Sequence, residues 1–163
     1  FFGLAVACST LLGHRLGAEE YEAAWQHSQL FLLLAPIGAL LVGIAVWLLQ
    51  TNLLQWVGNL PGSLMGEASQ VLAVMCLGML LKVFNMVGII GVLRSGGDVN
   101  YSIFIDIIAM WCIGLPLAWV AVSLLGWPLS WVVAVVLLEE LCKVLLVLRR
   151  IRQRHWLRNL VLG

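Results

Sequence analysis

From Leu30 to Leu49 the chain runs for twenty residues without a charge. At about 1.5 Å of rise per residue, that is what one α-helix needs to cross a hydrocarbon core of about 30 Å. Pro36 and several glycines interrupt the run, and membrane helices tolerate both. The pattern recurs: Ala68–Leu93 holds one charge, Lys82; Ile103–Leu125 holds one, Asp106; and Trp127–Leu148 holds Glu139, Glu140 and Lys143. Residues 1–12 are apolar but too short to span, and read as the tail of a helix begun upstream. Apolar residues run continuously instead of alternating over about ten positions, which excludes the strand pattern of a membrane barrel. The expected fold is an all-α integral membrane bundle, with a transmembrane unit at 1–148 and a basic tail at 149–163.

Composition points the same way. Of 163 residues, 63% are hydrophobic and 10% charged, against about 45–50% apolar and about 25% charged in soluble domains. A soluble globule of this size would leave large apolar patches in water. The mean hydropathy of +1.05 therefore names the lipid bilayer as the first partner. Five of the nine basic residues, Arg149, Arg150, Arg152, Arg154 and Arg158, crowd into the last fifteen positions. Such an end cluster is a topology signal and gives no reason to expect nucleic acid. Cys8, Cys76, Cys112 and Cys142 lie singly in apolar runs, without metal or redox spacing, and read as packing residues.

Successive spans alternate sides, so loop charges orient the chain. Arg15 lies in the first connection (13–26), Arg94 in the third (94–101), and the arginine cluster after Leu148, whereas the second (50–66) and the fourth, around Gly126, hold no Lys or Arg. The positive-inside rule makes the basic side cytoplasmic. The expected location is the cell inner membrane, multi-pass, with a cytoplasmic C-terminus. Trp47, Trp56, Trp127 and Trp131 then fall near the outer interface as an aromatic belt, and Trp156 is placed to anchor the tail at the inner surface.

Charges inside spans are costly and usually functional. Counting back from Arg149 and Arg94, Glu139 lies about 15 Å deep, Lys82 about 18 Å and Asn85 about 14 Å, so that with Glu140 they can share one level of the bilayer. Lys143 and Asp106 come within about 10 Å of the inner face, where a lysine can snorkel. Lys82, Asn85, Glu139, Glu140 and Asp106 are thus candidates to line a polar cavity in which a carboxylate takes up a driving proton or cation. The bland alternative is structural: Glu139 paired with Lys143 four residues on, and Lys82 neutralising Glu140. Met75, Met79, Lys82 and Met86 share one helix face, either a pliable cargo surface or ordinary core filling. Gly13 to Gly17 has helix-packing spacing but reads as a turn, as does Ser95–Asp98. His14, His27 and His155 have no partner at catalytic or metal spacing, so no enzyme and no metal centre is expected.

Three stretches resemble a known family. Gly13 to Ala24 (GHRLGAEEYEAA) is similar to a short inner loop of MATE transporters, the multidrug and toxic compound extrusion family. Gly91 to Asp98 (GVLRSGGD) resembles that family's LR-x-GGD inner loop, followed by a helix ending WCIGLP at Pro116; Val99 stands where threonine is common. Arg154 to Arg158 (RHWLR) resembles its basic tail. The resemblance marks Arg94, Gly96, Gly97 and Asp98 as a cytoplasmic loop motif and implies about helices eight to twelve of a twelve-helix transporter. It further implies an antiporter driven by H+ or Na+, without other cofactor, that exports drugs or other lipophilic, cationic or amphipathic organic compounds. The partner of this lobe would be the N-terminal lobe of the same transporter, where the family places important coupling carboxylates. A flippase for lipid-linked precursors, which needs a more cationic cavity, and a membrane structural subunit are the competing expectations.

Overall fold

The structure is a computed structural model that describes residues 1–57 and 62–159. Every regular element among them is helical: α1 (Phe2–Gly17), α2 (Tyr21–Val57), α3 (Gly62–Met86), a π-helical stretch π1 (Val87–Leu93), α4 (Val99–Ile108), π2 (Ala109–Gly114), α5 (Leu115–Trp119), π3 (Val120–Leu124) and α6 (Leu129–Arg152). Three continuous helices, Tyr21–Trp56, Leu64–Leu93 and Val99–Leu124, are long and apolar enough to cross a membrane. The chain is an all-α membrane bundle. α6 also has the length, at 24 residues, and its apolar run is broken by the three charges that build the site below.

The helices overrun the spans read from hydropathy. α2 begins at Tyr21 and ends at Val57, 37 residues in all, so the first connection shrinks to Ala18–Glu20. Within 21–29 there is no Gly or Pro, and a helix can continue past the hydrocarbon edge because its hydrogen bonds are internal. Gly13 to Gly17, expected as a turn, forms the last turns of α1 instead. The chain reverses after it at Glu19, in the left-handed region at φ 61°, with Arg15 paired to Glu20 across the turn. Of the connection expected at 50–66, residues 50–57 belong to α2 and 62–66 to α3 instead, and 58–61 lie outside the described residues.

Close packing depends on small residues. A Cβ on Gly91 would sit 3.0 Å from Cys8 Sγ and 3.3 Å from the Ala5 carbonyl, and one on Gly88 would sit 2.6 Å from Val147 Cγ1. α1 and α6 therefore press directly on the π1 backbone, the way membrane helices gain contact without a hydrophobic driving force between them. The wider π turns leave the rod Val99–Leu124 unbroken although it contains Pro116, since a π turn relieves the local helix geometry at such points. The most fully buried side chains, among them Leu12, Leu93, Ile105, Val147 and Trp156, gather where α1, π1, α4 and the end of α6 meet. At the other end Trp47, Trp56, Trp127 and Trp131 are exposed, with Trp127 and Trp131 edge to face at 6.2 Å.

Candidate functional site

α6 carries Glu139, Glu140 and Lys143 within four positions, so its geometry gathers them along one face. The Lys143 ammonium lies 2.6 Å from Glu139 Oε1, 3.9 Å from Asp106 Oδ1 on α4 and 4.0 Å from Glu140 Oε1. Its side chain is only 13% exposed, so it does not snorkel toward the surface as the depth count suggested. Three carboxylates hold it inward. Asp106 faces Arg94 Nη2 as well, at 3.8 Å. A file of charge thus runs from inside the bundle to the connection after π1.

Asn85 on α3 completes the buried side of this cluster. Its Nδ2 donates to the Glu140 main-chain carbonyl at 2.9 Å and to Glu140 Oε2 at 2.8 Å, tying α3 to α6. The side chain is 4% exposed, and its Oδ1 has no hydrogen-bond partner among the described residues. Leaving a buried acceptor unmet costs about 1–3 kcal/mol.

Gly114, the last residue of π2, lets Glu139 in: a Cβ there would occupy the space of the Glu139 Oε2 oxygen. Nothing in the sequence marks Gly114 for this role, because only the three-dimensional crossing of π2 and α6 reveals it. Lys143, expected as the partner of Glu139 four residues before it, proves to be the hub of all three carboxylates.

Lys82 stands apart. Its side chain is exposed, and among the described residues no carboxylate lies within 4.0 Å of it. The expected neutralisation of Glu140 by Lys82 is therefore not made at contact distance, because Glu140 is taken by Asn85 and Lys143. Instead Lys82 lines two adjoining clefts. One, of about 200 Å³, it shares with Asn85, Met86, Asp106, Glu140 and Lys143. The other, of about 280 Å³, it shares with Met75, Met79, Val133 and Leu137 among others. The methionine face thus looks onto clefts.

The loop motif folds into a clamp at the basic end. Gly97 adopts φ 79°, a conformation open to glycine at no steric cost. Asp98 accepts two hydrogen bonds from Arg150, from Nε at 2.5 Å and Nη2 at 3.1 Å, and the same guanidinium lies 4.4 Å over the Tyr101 ring. This pairing raises the Arg150 pKa further and keeps the clamp charged. A Cβ on Gly96 would collide with the main-chain carbonyl of Trp156. Trp156 is fully buried, so it plugs the bundle and does not float at a lipid interface as its position in the tail suggested. Arg154, at φ 55°, stacks 4.5 Å over Trp25 and reaches Glu22 at 3.4 Å. Among the described residues no group of His, Cys, Asp or Glu is placed to hold a metal ion.

Spans long and apolar enough for a bilayer, with a network of charges held between them, define a multi-pass membrane protein built around an internal polar site. The MatE family profile matches residues 1–120, and the chain belongs to that family. It is also 28% identical over 160 residues to an uncharacterized transporter, YisQ, of Bacillus subtilis (strain 168); the match covers 97% of this chain and 35% of that protein. The chain thus spans about a third of the curated relative's length. No solved structure matches it. Family and helices together place the chain in a multi-pass membrane protein of the MatE family.

Proposed function

We propose that this chain forms part of the conduction path of a secondary active antiporter, coupled to H+ or Na+, that exports drug-like amphipathic organic compounds from the cytoplasm across the cell inner membrane. One observation carries the reading: Glu139, Glu140 and Asp106 converge on Lys143 inside the bundle, beside a cleft lined by Lys82 and Asn85. Intramembrane charge of this density is expensive for a mere anchor, whereas a carboxylate among fixed partners can exchange a proton or a sodium ion during a cycle. The unmet Asn85 Oδ1 adds a neutral acceptor beside Glu140. The cargo occupies the clefts along the Met75, Met79, Lys82 face, and the remaining wall of the path comes from the N-terminal lobe of the same transporter.

The full-length transporter in liposomes tests this. An imposed proton or sodium gradient should drive efflux of an amphipathic dye, and Glu140→Gln, which keeps shape and the acceptor oxygen but cannot ionise, should abolish the dependence on the gradient while leaving the protein inserted. Gradient-dependent efflux undiminished in Glu139→Gln, Glu140→Gln and Asp106→Asn alike would rule out coupling through this cluster.

A further inference from the structure

The charges at the site are unequally served. Every carboxylate of the cluster has a contact partner: Glu139 has Lys143, Glu140 has Asn85 and Lys143, and Asp106 has Lys143 and Arg94. Lys82 alone among these charged groups has no ion pair among the described residues. Nor can it escape the bilayer. Leu64–Leu93 is one continuous helix of 30 residues, which puts Lys82 about 18 Å from Arg94 at one end and about 27 Å from Leu64 at the other. A lysine side chain does not bridge either distance. A cation held at that depth needs an anion or water beside it.

What lies beside it is a groove of particular chemistry. The cleft of about 280 Å³ is walled by Val46, Leu72, Met75, Met79, Val133 and Leu137, with the Lys82 ammonium as its charge. Thioethers are pliable and polarisable and accommodate varied apolar shapes. From these observations we propose that the Lys82 cleft binds amphipathic organic anions, seating a compact apolar or aromatic body against Met75 and Met79 and pairing a carboxylate or sulfonate with the Lys82 ammonium. This names the substrate class of the site above and rests on that transport reading. The cleft is near the small end of the small-molecule range of about 300–1,000 Å³, which suits one compact body and not the paired tails of a phospholipid. Its depth also separates it from the headgroup level of either leaflet.

The test is equilibrium binding to the full-length transporter in a neutral detergent, without any gradient. Three probes share one ring: naphthalene-2-sulfonate, the 2-naphthyltrimethylammonium ion and neutral 2-acetylnaphthalene. The sulfonate should bind about tenfold or more tightly than the ammonium, the scale of one desolvated charge-assisted contact. Lys82→Gln should erase that preference while leaving binding of the ketone within about twofold, and Lys82→Arg should retain it; these two controls separate loss of charge from loss of fold. Dioctanoyl-phosphatidylglycerol below its micellar concentration should leave sulfonate affinity unchanged. Preference for the ammonium, sulfonate binding untouched by Lys82→Gln, or displacement by the phospholipid would each overturn the assignment. Efflux that follows a gradient without anion preference sinks this proposal alone, whereas anion selectivity without efflux sinks the transport reading alone.

Discussion

Lys143 shows how a charge becomes tolerable inside a membrane bundle: it is surrounded by carboxylates at 2.6, 3.9 and 4.0 Å and is nearly buried. Breaking such a pair by removing one partner costs about 3–5 kcal/mol, because the other charge stays buried alone, whereas removing both partners is far cheaper. Lys143→Met should therefore lower the melting temperature of the detergent-solubilised transporter strongly, and adding Glu139→Gln should recover most of the loss. A double variant no more stable than the single one would show that the pair is not energetically coupled. If the double variant also recovers transport, Glu139 serves the fold and the coupling role passes to Glu140 or Asp106. Gly114 gives a second check at this scale. Gly114→Val would push side-chain atoms into the position of Glu139 Oε2, an overpacking that typically costs about 1–3 kcal/mol, so thermal stability should fall while Gly3→Val, at a site with open space around it, should not change it. Lys82, Asn85, Glu139, Glu140 and Asp106 were legible in the sequence because polar atoms stand out in apolar runs. Of their partners, Lys143 was legible four residues after Glu139, whereas Gly114 acquires meaning only once α6 crosses π2.

Among the elements, the Arg94–Asp98 loop motif and the tail act as one unit. Gly96 admits the Trp156 backbone, Asp98 grips Arg150, and Arg154 reaches back to Trp25 and Glu22 on α2. Gly96→Ala places a methyl against main-chain atoms that have no rotamer to move, so it should dislodge Trp156. In the full-length transporter, trypsin should then cut after Arg154 or Arg158 several-fold faster than in the parent, with Asp98→Asn having a smaller effect. Equal cleavage rates in Gly96→Ala and parent would mean that the tail does not depend on this seat. The sequence shows why half of this was visible. A Gly-Gly-Asp run announces a turn, but it does not say that a tryptophan sixty positions later fills the space a side chain would take. The same limit applies to helix ends. Hydropathy marks where lipid begins, and α2 runs nine residues ahead of Leu30 because nothing in Tyr21–Gln29 breaks a helix.

At the scale of the whole molecule, the basic residues outside the spans meet at one end. Arg94 adjoins the clamp formed by Asp98 and Arg150, Trp156 seals beneath Gly96, and the tail touches the start of α2 beside the Arg15–Glu20 turn. The opposite end presents exposed Trp47, Trp56, Trp127 and Trp131, residues that favour the membrane–water boundary. Charge distribution and aromatic placement therefore predict one polarity, with the basic end kept on the side of synthesis and the aromatic end across the bilayer. Retention acts on Lys and Arg near the ends of spans, and five of the nine basic residues here follow Leu148, so the last helix carries the strongest bias of any in the chain. In the full-length transporter expressed in a bacterium, alkaline phosphatase fused to the C-terminus should be inactive and green fluorescent protein at the same point should fluoresce. Replacing Arg149, Arg152 and Arg158 by glutamine, while sparing the Arg150 and Arg154 that the fold uses, should weaken that retention and raise phosphatase activity several-fold. A phosphatase fusion already active in the parent would invert the orientation and with it the direction of export.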